Sequence, residues 1–199
     1  MHGEDANGKQ SLLGIALNYV IYRLGLYCVL NPMKSTLLFV SILAWALSAP
    51  SWSATTFRDV PHSRNLEADS KLAALHGAPL MMLFASPGCH YCAKVKGEYL
   101  IPMLNDPAYR DKVVIRQVEV GSSMPITGFD GKKLTEGEFA ADYNVYMVPT
   151  IKFFDAKGRE VSRSVVGLLI PDYYQGYLDA GIEDGSQNIR DGKVYSEAQ

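Results

Sequence analysis

Apolar positions in this chain repeat with two different periods, and the alternation between them outlines the elements. Residues 79–84, Pro79-Leu80-Met81-Met82-Leu83-Phe84, contain no polar position. An uninterrupted apolar run of this length predicts a strand in the middle of a sheet covered on both faces. Residues 113–120 predict a second strand. Between the two, Val95, Tyr99, Leu100 and Leu104 recur at helical spacing, with Gly97 and Pro102 expected to bend or break the helix. Strand, helix and strand in this order make a right-handed parallel βαβ unit. Upstream, Leu66, Leu72 and Leu75 with Ala68, Ala73 and Ala74 fit a helix over residues 65–75, stopped by Gly77 and Pro79. Downstream, Thr135 and Glu138 make a capping box with Leu134 and Phe139 at the flanking apolar positions, so a helix is predicted from there to about Tyr143. Residues 150–154 and 159–166 read as strands joined by the hairpin turn Asp155-Ala156-Lys157-Gly158. A last helix, from Pro171 to Ala180, carries Tyr174, Tyr177 and Leu178 and is expected to end at Gly181. Residues 183–199 are polar and expected to be disordered.

The N-terminal quarter has a different pattern. Met33-Lys34 and the apolar residues 35–47 read as a signal peptide over residues 33–53, with small residues in Ser51-Trp52-Ser53 placing cleavage near Ser53 or Ala54. Residues 1–32 precede it. Their apolar stretch, 11–30, is interrupted by Asn18 and Arg23, which is awkward for a membrane span. Either the true start is Met33 and these residues are an over-extended gene start, or the two apolar runs together form an anchor. Leu26-Tyr27 before Cys28 is too bulky for a lipoprotein site. Residues 54–182 have room for one domain of roughly 130 residues.

Charge adds an exclusion. The formal net charge is −2, with acids and bases interspersed, so nothing points to nucleic acid or to a strongly acidic partner surface.

Cysteine usage changes the picture more. Of three cysteines, Cys28 lies in the leader region, which leaves Cys89 and Cys92 as the thiols of the mature domain. They stand in Ala85-Ser86-Pro87-Gly88-Cys89-His90-Tyr91-Cys92, directly after the first strand and at the predicted start of a helix. A helix N-terminus carries partial positive charge and unpaired N–H groups, and so stabilises a thiolate there. Three readings of the pair stay open. Half a zinc site would need two more ligands, and His2, His62, His76 and His90 lack the spacing to supply them. A purely structural disulfide would close a very small loop and add little. A redox pair fits the strand before it and the helix after it. On that reading Cys89, at the helix mouth, attacks or is attacked, and Cys92, one turn in, resolves the mixed disulfide. His90, when protonated, would stabilise the Cys89 thiolate, or it simply points to water. Tyr91 would be a rim or contact residue.

The cysteine segment and Tyr146-Met147-Val148-Pro149-Thr150-Ile151-Lys152-Phe153-Phe154 resemble the thioredoxin superfamily over roughly residues 64–182. The Cys-x-Tyr-Cys centre, the Asp-Ala-Lys-Gly hairpin and Gly167-Leu168-Leu169-Ile170-Pro171-Asp172-Tyr173-Tyr174 are similar to the exported SoxW-type branch of bacterial thiosulfate-oxidation operons. The resemblance implies an α/β thioredoxin fold, a central mixed sheet of about four strands with helices on both faces. It implies a cis bond between Val148 and Pro149, facing the cysteines, with the Val148 backbone pairing to an extended substrate. Two departures stand out. Thioredoxin has Trp-Cys-Gly-Pro-Cys, whereas here Gly88 precedes the pair and His90-Tyr91 fills it. Leu83 occupies the position of thioredoxin's buried acid, so the proton acceptor for Cys92 is open; Gln117 and Glu119 share a face of the neighbouring strand.

The expectation is therefore an exported, periplasmic thiol–disulfide oxidoreductase, monomeric and without a bound cofactor or metal. It would be kept reduced by a membrane electron donor of the thiol-transfer type and would reduce disulfides of periplasmic partners, sulfur carriers among them. The alternatives are a Dsb-type oxidant or isomerase, and a peptide-binding module with idle cysteines.

Overall fold

The computed structural model describes residues 56–168 and 170–195. The extension over residues 1–32, the signal-peptide reading with its cleavage site, Cys28, Leu169 and residues 196–199 lie outside the described residues.

The elements in chain order are α1 (Leu66–Ala74), β1 (Leu80–Ala85), α2 (His90–Val95), a widened turn at Lys96–Leu100, α3 (Ile101–Asn105), β2 (Val114–Glu119), β3 (Pro125–Thr127), β4 (Lys133–Thr135), α4 (Glu136–Asp142), β5 (Thr150–Phe154), β6 (Val165–Val166) and α5 (Pro171–Arg190). Four strands form one mixed sheet in the order β2-β1-β5-β6. β1 runs parallel to β2 and antiparallel to β5, and Leu83 stands opposite Gln117 on one side and Ile151 on the other. β1 is buried along its whole length, as its unbroken apolar run requires.

Because side chains alternate across a strand, the sheet divides the core into two layers. Met81, Leu83, Ala85, Ile115, Ile151 and Phe153 face α2 and α5, where they join Cys92, Val95, Tyr174 and Leu178. Leu80, Met82, Phe84, Val118 and Phe154 face α1 and α4, where they join Leu66 and Phe139. Asn65 caps α1 by accepting from the Ala68 N–H at 3.0 Å. Both halves of the Thr135–Glu138 capping box are formed at α4.

The helix after the cysteines yields where the sequence places Gly97 and Pro102. The Ile101 N–H donates to the Lys96 carbonyl, five residues back, so one turn is wider than α-helical. The lead-in is part of the domain. Val60 is buried, the Gln117 N–H donates to the Pro61 carbonyl at 2.9 Å, and the Ser63 N–H donates to the Gln117 carbonyl at 3.0 Å, which covers the outer edge of β2.

Two expectations need correction. The strand expected over residues 159–166 is reduced to Val165–Val166, with a single bridge between Phe154 and Glu160. The carbonyls of Glu160 and Val161 are taken instead by the Tyr195 N–H and the Asn188 side chain. The last helix does not end at Gly181, and residues 183–190 are not a disordered tail: α5 continues to Arg190. Ile182, Gly185 and Ile189 carry its packed face onward, and Gly181 lies directly on the Phe153 ring, with no space for a Cβ. That glycine is a packing requirement, not a stop. The hairpin β3–β4 has no counterpart among the elements read from the sequence.

Candidate functional site

The site is built where β1 ends and α2 begins. Gly88 has φ +73°, a backbone region open to glycine and strained for other residues, and it turns the chain so that Cys89 becomes the N-cap of α2. Cys89 and Cys92 are joined by a disulfide, with Cα atoms 5.2 Å apart. The two sulfurs differ in environment. Cys89 is half-buried, while Cys92, one turn in, is 2% exposed. The Cys92 N–H donates to Cys89 Sγ at 3.1 Å, so an unpaired helix N–H is already aimed at the outer sulfur.

Directly before β5, the Val148–Pro149 peptide bond is cis. Pro149 is buried, and Val148 is half-buried against the same apolar cluster as Cys89. The segment is held from both sides: the Thr150 hydroxyl donates to the Met147 carbonyl at 2.7 Å and the Gly167 N–H donates to the Pro149 carbonyl at 2.7 Å. The structure thus brings Cys89, Cys92, Val148 and Pro149 to one end of the sheet. His90 and Tyr91 are exposed on the first turn of α2, their rings 5.8 Å apart in an edge-on arrangement. Neither is packed against the sulfurs' core. Tyr91, between the cysteines in sequence, and Met147, just before Val148, are 59% and 62% exposed. Beside Met147 a groove of about 780 Å³ opens over Thr150, Lys152 and Val166.

The charges near the helix are committed elsewhere. Lys96 pairs with Asp59 at 3.1 Å and Lys94 with Glu98 at 3.9 Å. Leu83 is fully buried in the layer that contains Cys92. Its neighbour Gln117, also buried, donates its side-chain amide to the Val60 carbonyl. Glu119 is half-buried at the end of β2, in register with Ala85. Of the two groups the strand pattern offered for the missing acid, Gln117 is therefore tied to the lead-in and Glu119 stands at the rim. The turn at Gly88 is legible in the sequence as a Pro-Gly pair directly before the helix start; the groove beside Met147 is not.

The model of the thioredoxin-like domain matches residues 66–182. No curated protein matches the chain. Among solved structures, mitochondrial thioredoxin 3 of Saccharomyces cerevisiae, in the oxidized form, is 18% identical, covering 63% of this chain and 94% of its own with a TM-score of 0.41. A Malassezia sympodialis thioredoxin is 19% identical, covering 66% and 97% with a TM-score of 0.42. The periplasmic thioredoxin SoxS from Paracoccus pantotrophus, in the reduced form, is 18% identical, covering 53% and 97% with a TM-score of 0.38. With a mixed four-stranded sheet, helices on both faces and a family match over most of the described residues, the chain has the thioredoxin fold and belongs to the thioredoxin-like family.

Proposed function

We propose that this protein is an exported thiol–disulfide oxidoreductase that reduces disulfides of periplasmic partner proteins. The observation that carries the reading is the asymmetry of the Cys89–Cys92 pair: an accessible sulfur that accepts a helix N–H, and a covered sulfur behind it. In the reduced protein the Cys89 thiolate attacks a partner disulfide. A Cys89–partner disulfide forms, and the first partner sulfur leaves as a thiolate and takes a proton from water. Cys92 then loses its proton, its sulfur attacks Cys89 Sγ, and the second partner sulfur leaves and is protonated. Two electrons pass from the dithiol to the partner, and the closed Cys89–Cys92 disulfide is the product state.

The pair itself carries the electrons, so the cycle uses no bound cofactor. A membrane donor of the thiol-transfer type returns two electrons. Val148 would pair its backbone with the extended partner segment, while Tyr91 contacts that segment and a protonated His90 favours the Cys89 thiolate. The protein would work as a monomer without nucleic acid. The motif resemblance to the SoxW-type branch extends the proposal to sulfur-carrying partners.

Trapping tests the roles. Cys92→Ser is expected to accumulate mixed disulfides through Cys89, and Cys89→Ser none; equal trapping by both would sink the assignment. A redox titration tests the direction. A potential near about −270 mV supports the reductase, one near about −120 mV a Dsb-type oxidant, and a pair that does not cycle a binding module.

A further inference from the structure

Among the described residues, two buried side-chain oxygens lack a hydrogen-bond partner: Ser162 Oγ and the Tyr174 hydroxyl. Such groups are costly and call for an explanation. They lie toward opposite ends of the layer between the sheet and α5. Ser162 comes directly after Val161, whose N–H donates to the Phe153 carbonyl near the far end of β5. Tyr174 stands in the first turn of α5. From there the helix descends along the sheet, since Gly181 packs on Phe153 and Gly185 packs against Pro79, just before β1. At about 1.5 Å per residue, Tyr174 is displaced by about 10 Å from Gly181 toward the disulfide end. Helical side chains lean toward the helix N-terminus, which in α5 is that same end.

Its neighbours narrow the role. The Tyr174 ring lies 4.8 Å from that of Tyr99, on the helical segment that continues from Cys92. The Tyr99 hydroxyl is satisfied, donating to the Pro171 carbonyl at 2.9 Å. Tyr174, Leu83 and Cys92 belong to one continuous apolar cluster. In the disulfide, Cys92 Sγ bears neither charge nor proton. In the dithiol it becomes a buried thiol or thiolate, and a buried thiolate needs a donor. The other elements around this layer offer little. β1 contributes Met81, Leu83 and Ala85, and β5 contributes Ile151 and Phe153. On β2 the Gln117 amide is held by Val60 and Glu119 stands at the rim. On the α2 side, Lys96 is paired with Asp59.

We propose that the Tyr174 hydroxyl, unpartnered while the disulfide is closed, donates a hydrogen bond to Cys92 Sγ once the disulfide opens and the Cys92 side chain is free to rotate. This inference rests on the reading of Cys89–Cys92 as a cycling pair. The phenol keeps its proton, because burial and the adjacent Tyr99 raise its pKa above the usual tyrosine value. The Cys92 proton itself leaves to water or to the departing partner thiolate. Tyr174 therefore compensates in part for the acid that Leu83 replaces: it stabilises the resolving thiolate without acting as a base.

Tyr174→Phe tests this with little change in shape. Loss of a donor present only in the reduced form should stabilise the dithiol about tenfold less, making the potential about 30 mV more negative. In a Cys89→Ser background the Cys92 thiolate should form about tenfold less readily at a given pH, read by its ultraviolet absorbance. The melting temperature of the oxidised protein should hold or rise, because an orphan hydroxyl has been removed, while that of the reduced protein falls. Tyr99→Phe, which removes a satisfied hydroxyl, should leave the potential unchanged. A Tyr174→Phe potential and pH profile equal to wild type, or equal melting shifts in both redox states, would overturn the inference and leave the proposed function standing. A wild-type pair that cannot be cycled would remove both.

Discussion

The two faces of the sheet carry cores of opposite character. The face toward α1 and α4 is aromatic and closed. Phe84 stacks on Phe139 with centroids 5.4 Å apart, and Phe129, Tyr143 and Phe154 extend the cluster. The Tyr143 hydroxyl donates to the Gly158 carbonyl at 2.7 Å; burial first, and then the charges of Glu160, Asp142 and Asp155, push its pKa up to about 12. The face toward α2 and α5 is mostly aliphatic, holds the disulfide at its upper end and leaves the Tyr174 hydroxyl without a partner. One sheet thus separates a layer in which the buried phenol is satisfied from one in which a polar group waits on the state of the sulfurs.

The substitution with the largest expected effect crosses that division. Leu83→Asp places a carboxyl in the disulfide layer, where burial raises its pKa. A raised carboxylate pKa makes the folded state bind more protons than the unfolded one, so the penalty is small below about pH 4 and grows as pH rises toward the folded value. At neutral pH the loss should be roughly 3–5 kcal/mol. The same group should accept the Cys92 proton and speed resolution, with a new pH dependence near neutrality. Thermal melts at several pH values and stopped-flow kinetics over about pH 6–9 check both effects. Lower stability with an unchanged rate profile would mean that Cys92 already has an acceptor, and Glu119→Gln would then be the next substitution.

Phe139→Ala should sharpen the contrast from the other side. It empties the centre of the aromatic layer at a cost of about 3 kcal/mol or more, yet it should leave the redox potential at its wild-type value. A shifted potential would mean that the layers are coupled through β1. Gly181→Ala comes next, because the new methyl meets the Phe153 ring and α5 must move, costing about 1–3 kcal/mol. Its effect should appear in denaturant midpoints, together with a smaller change in potential as Tyr174 moves with the helix.

Thr135→Ala has the smallest expected effect, about 1 kcal/mol, from loss of the α4 cap. The Glu138 pKa is held below its usual 4.5, chiefly by the Thr135 N–H and then by its hydroxyl. A lowered carboxylate pKa adds stability that is fully present above the unfolded value and is lost as pH falls through the folded one. Melts of the wild type below about pH 4.5 should therefore show this loss, and Thr135→Ala, which removes the hydroxyl but keeps the backbone N–H, should reduce it only in part.

Legibility in the sequence tracked the range of the interactions. The capping box, the buried β1 and the break near Gly97 are written in neighbouring residues, so periodicity and local chemistry revealed them. Cys89 and Cys92 were visible for the same reason, as a short motif with local geometry, whereas the cis Val148-Pro149 bond was legible only through the resemblance of its segment to the thioredoxin superfamily. Gly181 misled because a glycine near a helix end has two readings, stop or close packing, and only the Phe153 ring decides between them. The expected strand over residues 159–166 failed likewise: its carbonyls are claimed by Asn188 and Tyr195, nearly thirty or more residues away.

What the sequence determined by itself was the βαβ unit with its buried β1, the capped helix at Thr135 and the placing of Cys89 and Cys92 at a strand-to-helix turn, since each depends on residue identity and spacing alone. Which groups surround the Cys92 sulfur was decided only by tertiary structure. Gln117 is tied to a lead-in residue 57 positions away, and Tyr174 joins Cys92 in one cluster because α5 lies across β5 and β1. Such neighbours are set by how layers stack, and the free energy of stacking depends on the total shape and area buried rather than on any local pattern.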